Sequence, residues 1–356
     1  MNVLIITTDF NYSSGVTRHV LNLLIDLSEN ANCKLFFMCN GGDAFKQLNN
    51  INLADTFKFK YKHGVSKFIY FIPNLIYLFK LVKKHKIDII HTHHRYPELL
   101  ASFIKNQKIK KITTLHSKVR KWKYISLKSD VLIAVSQSIK NHVIEYYATD
   151  ADKVIVMYNY VNIHRNNHSS DLSLSDSFTV DSKEYSTILF VGRVSYVKGV
   201  DILIKAANEL KKYRKIKLLL VGQVDKDFKS ELLNIDAASV MVIPPTTNIM
   251  NFYTLADVIV LPSREDPFPY VMLEAGTSEK PFIGSAVDGI AEFIDDGENG
   301  ILFASEDYKN LEQKIELVLN NKTLAHQLSI RLNEKVNNEC RKDLYLEKLI
   351  QIYERD

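Results

Sequence analysis

Two carboxylates, Asp266 and Glu274, stand in the run Leu261-Pro-Ser-Arg-Glu-Asp-Pro-Phe-Pro-Tyr-Val-Met-Leu-Glu-Ala-Gly276, and carboxylates accept hydrogen bonds from sugar hydroxyls. Two cations, Arg193 and Lys198, stand in a second run, Val191-Gly-Arg-Val-Ser-Tyr-Val-Lys-Gly-Val200. Where such a run opens a helix, the cations and the free backbone amides together attract a phosphate. The chemistry on offer is a grip on an anion by one run and on a polyol by the other. Taken alone, the charges of Arg264, Glu265 and Asp266 fit a solvated loop equally well, since exposed charge is the default. What favours a site is that each run follows an apolar strand, at the carboxyl end where open parallel sheets hold ligands.

The elements that must position these residues read as alternating strands and helices. Val258 to Leu261 is a buried strand, and the helix after it starts near Pro269, proline suiting a first helical position. Ile188 to Val191 is another strand; Gly192 turns the chain, and Val200, Leu203, Ile204, Ala207 and Leu210 form one apolar helix face. In the first half, strand Val3 to Thr7 runs into Gly15, a residue that permits a sharp turn beneath a ligand, and then into a helix with Val16, Val20, Leu23, Leu24 and Leu27 inward. Strands at 87–90, 111–114, 130–135 and 154–157, then 215–221, 240–244 and 280–284, continue the alternation. The class is α/β with two parallel sheets.

Gly192-Arg193, Lys198-Gly199, the acid-x7-Glu spacing from Asp266 to Glu274 and the following Ala275 resemble the retaining glycosyltransferases of family 4. The resemblance runs over nearly the whole chain and implies the GT-B fold, two Rossmann-like domains facing a cleft. It implies an acceptor-binding domain at 1–163, a linker at 164–186, a nucleotide-sugar-binding domain at 187–340 and a helix at 341–356 that returns to the first domain. The implied activity moves a sugar from a nucleotide-diphosphate sugar to an acceptor hydroxyl, the acceptor being a lipid-linked glycan or surface polysaccharide precursor of the capsule or lipopolysaccharide type. By the same resemblance Arg193 and Lys198 hold the diphosphate. Asp266 and the amides from Phe268 through Tyr270 and Val271 hold the sugar, Glu274 the ribose, and Gly15 and Gly192 shape the donor site. His116 faces the sugar or acceptor. Ser14, Tyr160, Pro269 and Asp288 depart from the family pattern. A nucleotide-sugar epimerase or hydrolase of the same fold, or a non-catalytic subunit of glycan assembly, are the rival readings.

No cofactor or metal is expected. His91, His93 and His94 invite a metal reading, but their spacing supplies no third-element ligand, and the D-x-D pairs Asp150/Asp152 and Asp225/Asp227 do not directly follow buried strands. Three cysteines without framework spacing read as reduced thiols in a cytoplasmic protein. The N-terminus reads as a strand, not a signal peptide. With 46% apolar residues the chain is not disordered. The net charge of +5 hides a local excess: between Thr56 and Lys128 there are 18 Lys and Arg against two acids, leaving 28 basic and 39 acidic residues elsewhere. An anionic membrane leaflet suits that block. Nucleic acid does not, for want of a recognition motif. Lys118-Val-Arg-Lys-Trp-Lys-Tyr124 is the favoured surface segment, while the aromatic and basic stretch 67–86 is expected to pack its apolar face inward.

Overall fold

The structure is a computed structural model that describes residues 1–61, 69–120, 122–124, 127–161, 184–232, 239–246 and 248–355. Two compact units result, Met1–Asn159 with Lys342–Asp356, and Tyr160–Arg341. The linker expected at 164–186 lies, as far as 183, outside the described residues, and Ser186 already pairs in a strand.

In the first unit the order is β1 (Asn2–Ile6), α1 (Gly15–Ser28), β2 (Lys34–Cys39), β3 (Asp55–Lys58), α2 (Phe71–His85), β4 (Ile89–Thr92), α3 (Arg95–Ser102), β5 (Lys110–Leu115), β6 (Val131–Ala134), α4 (Gln137–Tyr147) and β7 (Val154–Val156). The second holds β8 (Ser186–Val191), α5 (Val200–Leu210), β9 (Ile216–Val221), the single turn α6 (Lys229–Leu232), β10 (Val240–Ile243), α7 (Ile249–Leu255), β11 (Val258–Leu261), α8 (Tyr270–Thr277), β12 (Phe282–Ser285), α9 (Asp288–Phe293), β13 (Ile301–Phe303), α10 (Tyr308–Asn320) and α11 (Lys322–Glu339). The last helix, α12 (Lys342–Glu354), belongs to the first unit.

Both sheets are parallel, ordered β3-β2-β1-β4-β5-β6-β7 and β10-β9-β8-β11-β12-β13. Order reverses between β1 and β4 in one and between β8 and β11 in the other, so each sheet has a switch point where the loops diverge and leave a crevice. Central strands are apolar along most of their length because helices cover both faces: Val3 to Ile6 and Val258 to Leu261 are buried throughout. Register follows from that burial, with Val3 to Ile6 opposite Ile89 to Thr92 and Ile188 opposite Val258.

Several helix expectations shift. The face of α5 buries Val200, Ile202, Leu203, Ala206, Ala207 and Leu210, while Ile204 is only half-buried. Pro269 is the cap before α8 rather than its first residue, with the extended backbone of a cap (φ −76°, ψ 136°). Helix α2 packs inward through Leu78, Leu81 and Val82, but a second apolar stripe, Ile72, Ile76 and Phe79, with Ile69 just before the helix, points to solvent. Trp122, expected at the surface, instead lies half-buried against the core of Leu78, Tyr96 and Leu100. Lys67 and Lys121 lie outside the described residues.

Candidate functional site

The second unit gathers most of the expected residues around the β8/β11 switch point. Strand β8 ends at Val191 and the backbone turns through Gly192 at φ 142°, a conformation glycine adopts without steric cost. At Gly199 (φ 67°) the turn closes onto the neighbouring loop: a Cβ there would lie 1.8 Å from the Pro262 carbonyl oxygen. The Arg264 amide completes the contact by donating to the Val197 carbonyl at 2.9 Å. The two ligand-side loops are thus joined through backbone, which fixes what their side chains can reach.

What they reach is one another. Lys198 Nζ donates to Asp266 Oδ2 at 2.6 Å, and Ser263 Oγ donates to the same oxygen at 3.1 Å. Asp266 is buried and Lys198 half-buried, whereas Arg193 is exposed and holds no side-chain partner among the described residues. The expected phosphate cation and sugar acid therefore form an ion pair. Asp288, at a position where the resemblance implies glycine, anchors the backbone of this loop. Its Oδ2 accepts from the Asp266 amide at 3.1 Å, at φ 42°, a region aspartate tolerates better than most side chains. Gly289 returns an amide to the Asp266 carbonyl at 3.2 Å, and a Cβ on it would meet the Pro267 carbonyl at 1.9 Å.

Glu274 sits in α8, fully buried, and its Oε2 accepts from Tyr253 Oη of α7 at 2.5 Å. Phe268 packs its ring on Phe293 and Tyr270 is buried, so any ligand contact from this segment comes from backbone amides. Helix α8 has no side-chain cap, and Pro269 contributes no N–H. Arg264, which stood beside the acids in sequence, is structural: it makes a bidentate bond to Asp201 at 2.7 and 2.9 Å and a second pair to Glu306. Those acids push its pKa above the ordinary arginine value.

His116 and Gly15 lie in the first unit, around the β1/β4 switch point. Gly15 opens α1 without a positive φ, so no sharp turn requires glycine there; a Cβ on it would meet nothing within 4 Å. His116, half-buried after β5, places Nε2 3.1 Å from Nδ1 of the buried His93 and packs against His19 of α1, ring centroids 4.8 Å apart. His19 Nε2 lies 3.3 Å from Tyr345 Oη of α12. His91 lies between Thr114 Oγ1 at 2.8 Å and Tyr353 Oη of α12 at 2.7 Å, and His94 Nδ1 meets Thr7 Oγ1 at 2.8 Å. Burial lowers the pKa of every one of these rings, of His19 and His94 to about 4 and of His91 to about 3. The sequence grouped His91, His93 and His94; the fold groups His93 with His19 and His116. Of the D-x-D acids, Asp150 caps its own turn by accepting from the Asp152 amide.

Ser263, Tyr253 and His19 were not singled out in sequence. Ser263 stands three residues before Asp266 in the same loop, near enough along the chain for its hydroxyl to reach that acid. Tyr253 and His19 come from distant elements and leave no local signal.

Comparison with known proteins assigns the chain. Residues 13–165 match the model of Glycosyltransferase Family 4, and residues 176–335 that of Glycosyl transferases group 1. An uncharacterized glycosyltransferase of Methanocaldococcus jannaschii is 28% identical over 344 residues, 92% of this chain and 91% of its own length. The capsular polysaccharide biosynthesis glycosyltransferase CapM of Staphylococcus aureus is 25% identical over 238 residues, 62% of this chain and 60% of its own. Alr3699/HepE of Anabaena, solved in complex with UDP, shares the fold with a TM-score of 0.83 over 99% of both chains at 15% identity; its complex with UDP-glucose gives 0.82 over the same shares at the same identity. With two matches that together span most of the sequence, and two parallel sheets of the GT-B type, the chain belongs to glycosyltransferase family 4 and is a glycosyltransferase.

Proposed function

We propose that this glycosyltransferase takes its sugar from a nucleotide-diphosphate donor and passes it to an acceptor hydroxyl with retention at the anomeric carbon. The observation that carries the reading is the Lys198–Asp266 pair, 2.6 Å long, between the loops that leave β8 and β11. A cation held beside an acid at a switch point suits a donor with a phosphate next to a sugar. As the bond from the anomeric carbon to the diphosphate oxygen breaks, negative charge grows on the diphosphate, and Arg193 and Lys198 bind it more strongly than they bind the intact donor. The acceptor oxygen forms the new bond on the same face, and its proton passes to the departing phosphate oxygen. Asp266 takes the sugar hydroxyls, Glu274 the ribose, and His116 the sugar or acceptor. The uncapped amides of α8 complete the anion's surroundings. Two side-chain cations meet the diphosphate's charge, so no metal is needed for that purpose.

That Alr3699/HepE binds UDP and UDP-glucose supports a nucleotide-sugar donor, and the capsular relative supports a surface-glycan acceptor. A lipid-linked acceptor fits the exposed stripe of Ile69, Ile72, Ile76 and Phe79, each between 45% and 72% accessible, beside the exposed Lys80, Lys83, Lys84 and Lys86. Such a face rests on an anionic leaflet with its lysines at the phosphates, without crossing it. No helix among the described residues is long and apolar enough to span a membrane.

The test is turnover of a panel of nucleotide sugars by purified protein, with and without glycan acceptors, the product's anomeric configuration being read by NMR. Lys198→Ala should lower kcat by about 100-fold or more, Asp150→Ala should leave it unchanged, and chelator should not reduce it. Full activity in Lys198→Ala, or an inverted product, would refute the assignment.

A further inference from the structure

Every N–H of the Arg264 side chain is engaged. Nε and Nη2 donate to the two Glu306 oxygens at 2.5 and 2.8 Å, and Nη1 and Nη2 donate to the two Asp201 oxygens at 2.7 and 2.9 Å. The second Nη1 hydrogen goes to the Tyr196 carbonyl. A guanidinium has no further donor, so Arg264 offers nothing to a phosphate while it keeps these partners. The one cation inside the acidic run does other work.

Its partners come from loops that leave the same end of the second sheet. Tyr196 lies between β8 and α5, Asp201 in the first turn of α5, and Glu306 between β13 and α10, while Arg264 itself follows β11. The Arg264 amide adds its bond to the Val197 carbonyl at 2.9 Å. Lys198 is therefore bracketed along the chain, by Tyr196 and Val197 before it and Asp201 after it, and all three are tied to the residue two positions from Asp266. That tie governs how far the Lys198 backbone stands from the Asp266 backbone, and the 2.6 Å bond between their side chains depends on the distance. Glu306 shows how firmly the bracket is held: its backbone is left-handed at φ 71°, a conformation that persists in a non-glycine residue only where the surroundings over-determine it. Arg264 also occupies two rival acids. Without it, the half-buried Asp201 carboxylate, three residues beyond Lys198, is free to compete with Asp266 for the ammonium.

We propose that Arg264 is a positioning residue for sugar transfer: it touches no substrate, and it holds Lys198 at Asp266 by fastening the chain on both sides of the lysine. The effect on turnover rests on the donor reading given above. The placement of Lys198 does not, and it can be read with no donor present.

The test begins with NMR of the full-length chain carrying ¹⁵N-lysine. The Lys198 ammonium, identified by its disappearance in Lys198→Arg, should give a slowly exchanging Nζ signal that Asp266→Asn abolishes, and Arg264→Ala should abolish it as well. Turnover is then measured with the nucleotide sugar that wild-type protein uses fastest. Arg264→Ala should lower kcat by roughly 10- to 100-fold, the effect of a displacement of about 1 Å, with little change in donor KM. Arg264→Lys should restore little, because one ammonium cannot reproduce a fork shared between two carboxylates. In Lys198→Ala protein the same Arg264→Ala change should cost no further activity, since the two act as one unit. Should Arg264→Ala lack native circular dichroism, Asp201→Asn decides: it weakens the fork while keeping the side chain's shape, and it should abolish the Lys198 signal and lower kcat. Absence of that signal from wild-type protein, its survival in a folded variant, or a further independent loss in the Lys198→Ala background would overturn the proposal. Full activity in Lys198→Ala would instead overturn the donor reading and leave the placement to be judged by the signal alone.

Discussion

Lys198 and Asp266 show how a side chain's role depends on its neighbour. In the sequence one reads as a phosphate ligand and the other as a sugar ligand; in the fold each is the other's partner, and Ser263 shares the acid's oxygen. The types and approximate location were legible because both runs carry strong local signals, a glycine turn and an acid at a strand end. The pairing was not, because it depends on β8 and β11 being adjacent although β9 and β10 separate them in the chain. Tyr253 is a sharper case, contributed by α7 to a glutamate in α8. Tyr253→Phe withdraws a donor from a fully buried carboxylate, which should cost about 1–3 kcal/mol of stability, measured by urea unfolding. If Glu274 holds the ribose, the same variant should raise the donor KM with little change in kcat, the pattern of lost ground-state binding.

At the scale of elements, two glycines of the candidate-site loops, one in each unit, behave oppositely. Gly199 is required by geometry, with φ 67° and the Pro262 carbonyl where a Cβ would go. Gly199→Ala should destabilise the second unit by about 2 kcal/mol or more, as strain at a special backbone position does, and calorimetry would register it as a lowered transition. Gly15 has ordinary backbone and open space around it. Gly15→Ala should therefore leave thermal stability within about 0.5 kcal/mol of wild type, while raising the KM for donor or acceptor if a ligand approaches there. Strand positions, parallel pairing and the helix faces were legible because continuous apolar runs and 3.6-residue spacing dictate them. The second apolar stripe on α2 was not. An amphipathic pattern shows which residues are apolar, not which of two apolar faces finds a partner.

For the molecule as a whole, the histidine cluster ties stability to pH. His19, His91 and His94 have folded pKa values of about 4, 3 and 4, below the ordinary imidazole value of 6.5, because burial penalises the charged form. The unfolded chain thus binds protons that the folded chain refuses. Stability is whole above pH 6.5 and declines as pH falls toward 4, by ~3 kcal/mol for His19 alone over that window. Melting temperature recorded from pH 7.5 to 4.5 should fall steadily below pH 6.5, and a flat profile would mean the rings are solvated. His19→Asn should flatten part of the slope.

Helix α12 supplies Tyr345 to His19 and Tyr353 to His91, and Lys342 pairs with Asp26 and Glu29 of the same unit. The first unit therefore lacks part of its interior until residues 342–354 have been made. On the ribosome the unit begun first is finished last, whereas Tyr160–Arg341 is continuous and free to settle before it. A premature stop near residue 341 would leave the later-encoded unit able to fold and the earlier one half-built, a polarity opposite to the direction of translation.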